Sequence, residues 1–303
     1  MDKKRLFFGG LILAFAFFMV LCSGCGKEPE KKPPQQAGEQ QGSQKPKEPK
    51  ELKDITKDIE SILKEAEKKQ KMQEKPQAEQ QGQQQNKQDK QEQGQQSQTG
   101  QGGEEGKQQS SQQGQQQGGQ QETQKMMQDW SKEEKAVEGI HQKWNSLETA
   151  VVKAGAEEAL IAEFETNLDN LTDQVMSKSL RGTQKAANEL YGSSVKIADH
   201  FQTNNPPPAD MLKYYTQNSL LAIEEGNWTD AAANTQDLRK QWEKVKTMLD
   251  KDSAQLITQM DYAISDFDQS IMKQNKEVAK IKGKIVLTNT EKIIKKMQEN
   301  KKK

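Results

Sequence analysis

The chain has 303 residues, enough for two domains, yet only 31% are hydrophobic against about 45–50% in globular proteins. Forty-five basic residues balance 45 acidic ones, so no overall field steers it toward nucleic acid. Both cysteines lie before residue 26, which excludes a disulfide or thiolate metal site in the rest of the chain.

Asp2-Lys3-Lys4-Arg5 forms a positive start, and Leu6 to Leu21 is an uncharged apolar run. At 16 residues the run is below the roughly 20 a spanning helix needs, and its length suits the apolar core of an export signal. Cys22-Ser23-Gly24-Cys25-Gly26 follows. The Cys22-x-x-Cys25 spacing also occurs in redox sites, but no βαβ pattern adjoins it, and Gly26 stands where haem attachment would need His. Small Ser23 and Gly24 before Cys25 resemble the lipobox of bacterial lipoproteins, with Cys22 at the usual Leu position and Leu21 one place further out. The resemblance covers residues 1–26. It implies cleavage after residue 24, so that 1–24 is the signal peptide. It further implies that Cys25 is the lipidated first residue of the mature protein, held to the extracytoplasmic face of the cell membrane by a diacylglyceryl anchor. Each buried CH₂ of an acyl chain contributes about 0.8 kcal/mol, so two chains hold stably where one does not.

Residues 25–50 have no aliphatic residue except Ala37 and several prolines, and they read as a disordered linker. In 51–75, Leu52, Ile55, Ile59, Ile62 and Ala66 recur at spacings of three and four, which predicts an isolated amphipathic helix. Residues 76–124 hold 23 Gln and 9 Gly and no Val, Ile, Leu or aromatic residue. Without side chains to bury, they are expected to form a solvated low-complexity spacer. A Lys- and Gln-rich spacer of this length suits a Gram-positive cell, where a domain must stand off the membrane.

From Met126 the apolar residues become periodic. Val137, Ile140, Trp144, Leu147 and Val151 form one stripe, and Ile161, Phe164, Leu168, Leu171 and Val175 a second. Further stripes run through Ala187 to Phe201, Leu212 to Ala222, and Leu238 to Leu249. The sixth, Ile257, Met260, Ile264, Phe267 and Ile271, is read as continuing through Val278, Ile281 and Ile285. Steps averaging 3.5 predict an all-α fold: an antiparallel bundle of about six helices over 125–285 with coiled-coil-like packing, followed by a basic helix or tail over 286–303. Ser131-Lys132-Glu133-Glu134 reads as a capping box and Thr229 as a helix cap, while Gly226-Asn227 ends a helix.

An internal echo is visible. Trp130-Ser131 with Trp144 parallels Trp228-Thr229 with Trp242, and Phe164, Leu168, Leu171, Val175 parallel Met260, Ile264, Phe267, Ile271. The echo fits a duplicated helical hairpin, or two hairpins that converged on the same placement of tryptophan.

Constellations for chemistry are scarce. His141 and His200 lack a ligand-spaced partner, Asp266-Phe267-Asp268 has an apolar residue where a calcium loop needs a polar one, and Gly192-Ser193-Ser194 has no base. The expectation is a non-enzyme without cofactor or resident metal. Charge is uneven: residues 125–270 carry 15 basic and 24 acidic groups, and 271–303 carry 11 basic and 3 acidic. Lys292, Lys295, Lys296, Lys301, Lys302 and Lys303 are therefore candidates for contact with anionic lipid or a wall polymer. The same lysines could instead pack on the acidic body of their own bundle. The leading expectation is a cell-surface lipoprotein with a non-catalytic binding or scaffold domain that engages an envelope component. The alternative is an extracytoplasmic helical binding protein for a small ligand, metal or haem, for which a polar cavity near Trp144 or Trp242 would speak.

Overall fold

The computed structural model describes residues 45–92 and 125–301, with side chains described over 45–73 and 125–301. The leader, the linker before residue 45 and most of the Gln-rich segment lie outside the described residues. Those present are all-α, in eight helices: α1 (Lys50–Glu92), α2 (Ser131–Lys153), α3 (Glu158–Met176), α4 (Leu180–Ala198), α5 (Pro207–Glu224), α6 (Trp228–Lys246), α7 (Ala254–Met272) and α8 (Lys276–Asn300). A single 3₁₀ turn, Lys251–Ser253, leads into α7.

Helix pairing closes into two rings. The first joins α1 to α2, α2 to α3, α3 to α4 and α4 back to α1; the second joins α5, α6, α7 and α8 in the same way. Two four-helix bundles result, each with its own apolar core. The amphipathic stretch expected to stand alone is thus α1, the fourth wall of the first bundle. Leu52, Ile55, Ile59, Ile62 and Ala66 are all at or near zero exposure. Three helices whose stripes face inward leave one side of a core open to water, and this stripe covers it. The backbone of α1 also runs on past Pro76 to Glu92, into the segment read as pure spacer. Gln, Lys and Glu have good helix propensity, and extending a docked helix avoids the cost of nucleating a new one.

The sixth stripe is interrupted. Helix α7 ends at Met272, Gln274 turns into the left-handed region at φ 51°, and the Asn275 side chain accepts from the Val278 amide to start α8. The inward face of α8 is Ala279, Gly283, Val286, Thr290, Ile293, Ile294 and Met297. Val278, Ile281 and Ile285, expected to continue the core, face solvent at 38%, 61% and 47%. Residues 286–300, read as a basic helix or tail outside the bundle, are the packed second half of α8. A small residue in the middle of α8 is what admits the neighbouring helices: a Cβ on Gly283 would lie 2.6 Å from Leu220 and 3.0 Å from Phe267.

The echo extends through both bundles. Trp144 Nε1 donates to Glu165 at 3.2 Å, and Trp242 Nε1 donates to Asp261 at 2.6 Å. Lys178 at φ 56° precedes the Ser179 cap of α4 as Gln274 precedes the Asn275 cap of α8. The residue before each turn tryptophan accepts an amide at the start of its helix: Asp129, one place before the cap position of α2, from Ser131 at 3.0 Å, and Asn227, the cap of α6, from Asp230 at 3.1 Å. That replaces the expected capping roles of Ser131 and Thr229. Glu133, expected in the capping box, is buried instead against α1.

The junction between the bundles is the α4–α5 seam, where Asn188 donates to the Tyr214 carbonyl and to Asn218, and Tyr214 and Asn218 both donate to Glu189. The loop between α4 and α5 gathers the two ends of the fold. Gln202 pairs with the backbone at Pro46 and Glu48, while Lys301 donates to the carbonyls of Thr203 and Asn204.

This arrangement separates two isoleucines that the sequence treats alike. Ile59→Ala is expected to cost about 2–5 kcal/mol by opening the first core, and Ile281→Ala less than about 0.5 kcal/mol. Denaturant titration of both variants checks the pair.

Candidate functional site

Of the lysines singled out by charge, the described ones lie along one end of α8 and its C-cap and are not all free. Lys292 and Lys295 are exposed, and Lys296 sits 3.9 Å from Asp250. Lys301 is spent on backbone carbonyls of the α4–α5 loop, while Lys302 and Lys303 lie outside the described residues. Further back, Lys276 and Lys280 reach Glu224 at 2.9 and 2.7 Å, and Lys282 reaches Asp266 at 3.2 Å. Much of the positive excess of this segment is thus held by carboxylates of α5, of α7 and of the turn before it. What α8 presents outward is a mixed row: Val278, Ile281 and Ile285, then Lys292 and Lys295. The sequence missed this row because its apolar half was assigned to the core. Cys25, the lipidation candidate, lies outside the described residues.

The other candidates are tied into the fold. His141 is half-buried and shares a hydrogen bond with Thr172 at 2.9 Å across the α2–α3 seam. Asp268 pairs with Arg239 from α6, and Asp266 with Lys282 from α8; Phe267 between them is fully buried. Ser193 and Ser194 are buried and donate back to the carbonyls of Leu190 and Tyr191. Trp144 stacks on Phe164 at 4.1 Å between centroids, so the position where a ligand pocket was considered is filled by aromatic packing. No group of three or more His, Cys, Asp or Glu side chains is gathered for a metal among the described residues.

Two clefts among the described residues lie where the two bundles meet. A cleft of about 330 Å³ is lined by Glu60, Lys64, Tyr191, Lys213, Leu287 and Glu291. Beside it, one of about 120 Å³ lies among α1, α4, α5 and α8. Sequence periodicity gives no hint of either, because both are made by the join of two rings and not by any one helix.

At the loop end of the same junction, Asp210 in the first turn of α5 is mostly enclosed. Burial pushes its carboxyl up to about 6, against the opposing pull of Lys213 and a hydrogen bond from Asn205 at 3.3 Å; Glu60 and Glu48 add to the rise. Comparison with known protein families, curated proteins and solved structures finds no match to this chain.

The Asp210 shift has a defined sign. Its folded-state value lies above the ordinary 3.8, so the folded form holds the proton more tightly than the unfolded form. Stability is therefore lost as pH rises from about 4 through about 6. The loss is on the order of 3 kcal/mol for the full shift. Chemical denaturation from pH 4 to pH 7 is expected to show this fall in the wild type and a flatter profile in Asp210→Asn.

Proposed function

We propose that the chain is an extracytoplasmic lipoprotein, anchored to the cell membrane through acyl chains on Cys25, whose double helical bundle works by binding another envelope component and not by catalysis. The observation that carries the reading is the order of features at the N-terminus: a basic start, a 16-residue apolar run, and Ser23-Gly24-Cys25. After these come a polar stretch and then a compact helical unit. Among the described residues no helix is long and apolar enough to cross a membrane, so the reading places the membrane contact in the anchor.

The binding half of the proposal is supported by where the ionisable and aromatic side chains go. Both mid-helix tryptophans, both serines of the Gly-Ser-Ser stretch and the Asp266/Asp268 pair serve packing or pairing within the bundles. The outward row on α8, apolar at Val278, Ile281 and Ile285 and cationic at Lys292 and Lys295, is the surface we assign to contact with an anionic lipid, a wall polymer or an envelope protein. The second half of α8 is also structural, and a chain ending at Lys284 would lose part of the second core: Val286, Ile293, Ile294 and Met297.

Metabolic labelling with an alkyne fatty acid tests the anchor. The wild type is expected to carry the label and to sediment with membranes, and Cys25→Ala to lose both. Equal labelling of the two forms contradicts the proposal.

A further inference from the structure

The smaller of the two junction clefts has an unusual electrostatic composition. Its described charged lining is Lys71 and Glu67 from α1, Arg181 from α4, Glu224 from α5, and Lys280 and Lys284 from α8. Lys71 pairs with Glu67 at 2.9 Å. Glu224 is committed on both oxygens, Oε1 to Lys280 at 2.7 Å and Oε2 to Lys276 at 2.9 Å. Burial pushes the Glu224 carboxyl up, but the hydrogen bonds from Lys280 and Lys276 outweigh it and the net shift is downward, so the group stays ionised.

Arg181 is the most distant of the three cations around Glu224. Its Nη2 is 3.8 Å from Glu224 Oε2, beyond hydrogen-bond distance, on an oxygen that Lys276 already occupies. Its Nη1 is fully buried and has no hydrogen-bond partner. A guanidinium carries five donors and cannot shed its charge; here only Nη1 is enclosed without an acceptor, while the side chain as a whole is about one-third exposed, at 36%, on the cleft side. Lys284, across the cleft on α8, is exposed. The remaining lining is mixed: Gln217, Gln184, whose amide donates to Gln70 at 2.8 Å, and Leu220, Leu221 and Leu287.

We propose that this cleft is an oxyanion site, taking one phosphate group, free or carried on a headgroup, between Arg181 of the first bundle and Lys284 of the second. The accessible edge of the Arg181 guanidinium suits a phosphate oxygen, and about 120 Å³ admits a group of that size. Because the site draws its cations from both rings, occupancy would tie the bundles together where the fold otherwise relies on α4–α5 contacts. The inference is independent of lipidation and of the outward row on α8.

Isothermal titration of the chain from residue 26 onward with inorganic phosphate tests it, with phosphatidylglycerol vesicles as a second arm. Saturable phosphate binding is expected, weakened roughly tenfold in Arg181→Gln, measurably weakened in Lys284→Gln and unchanged in Lys185→Gln. Lys185 is on the same helix and pairs with Glu225 outside the cleft. Binding of phosphate alone assigns the site to a free anion; binding of vesicles as well, with the same variant pattern, assigns it to a headgroup. Unfolding in chloride buffer shows whether each variant keeps its fold, and Lys284→Gln, at an exposed position, carries the test if Arg181→Gln does not. Absence of saturable binding, or binding that neither variant weakens, overturns the proposal and leaves water as the partner of the guanidinium.

Discussion

The structure depends on the seam between α1 and the two helices it covers, α2 and α4. Five buried apolar side chains, Leu52, Ile55, Ile59, Ile62 and Ala66, supply the missing wall of the first core. Burying four large aliphatic residues contributes about 1.5–3 kcal/mol each. The entropy of closing a connection of some tens of residues works against this at about 3 kcal/mol, growing only slowly with length. The comparison decides the topology: burial outweighs the connection, and a helix separated from its neighbours by a long polar segment still joins their core.

One polar contact fixes how that helix sits. Lys69, near the inner end of the α1 stripe, reaches Glu133 at 2.6 Å with both groups buried, and its ammonium lies 3.9 Å from the Trp130 ring centroid. A buried ion pair adds little net stability over an apolar pair, but a register shift that separated its partners would leave two uncompensated charges. The apolar stripe tells α1 which face to bury, and the Lys69–Glu133 pair tells it how far along to stop. The second bundle has no counterpart to this pair in its α5–α6 connection, which is a tight turn with Gly226 at φ 72° and needs no separate register device.

Most of the helical core was legible in the sequence because heptad-like spacing reports a buried face directly, and Val137 to Val151 and Phe164 to Val175 are buried as their spacing implied. Two things were not legible. The row Val278, Ile281, Ile285 has helical spacing too, and only the turn at Gln274 and Asn275 rotates it outward, in favour of smaller Ala279 and Gly283. Periodicity cannot tell a core stripe from an exposed one when a break falls between helices. Nor does local pattern reveal that α1 belongs to the bundle, or that Glu133 faces Lys69 rather than a helix terminus, since both facts rest on contacts between distant segments. The echo between the two bundles was visible only at its tryptophans and in the stripes of α3 and α7, where the packing demands are strictest. The candidate site fared worse: a count of lysines cannot show that Lys276, Lys280, Lys282 and Lys296 each face a carboxylate.

Native-state hydrogen exchange on the chain from residue 26 onward measures the dependence most directly. Amides of α1 between Leu52 and Ala66 are expected to exchange with the same opening free energy as those of α2, α3 and α4, rising and falling with them as denaturant is added. Exchange of those α1 amides at the rate of an isolated helix, while α2 to α4 stay protected, would contradict the claim that the first core needs its fourth wall.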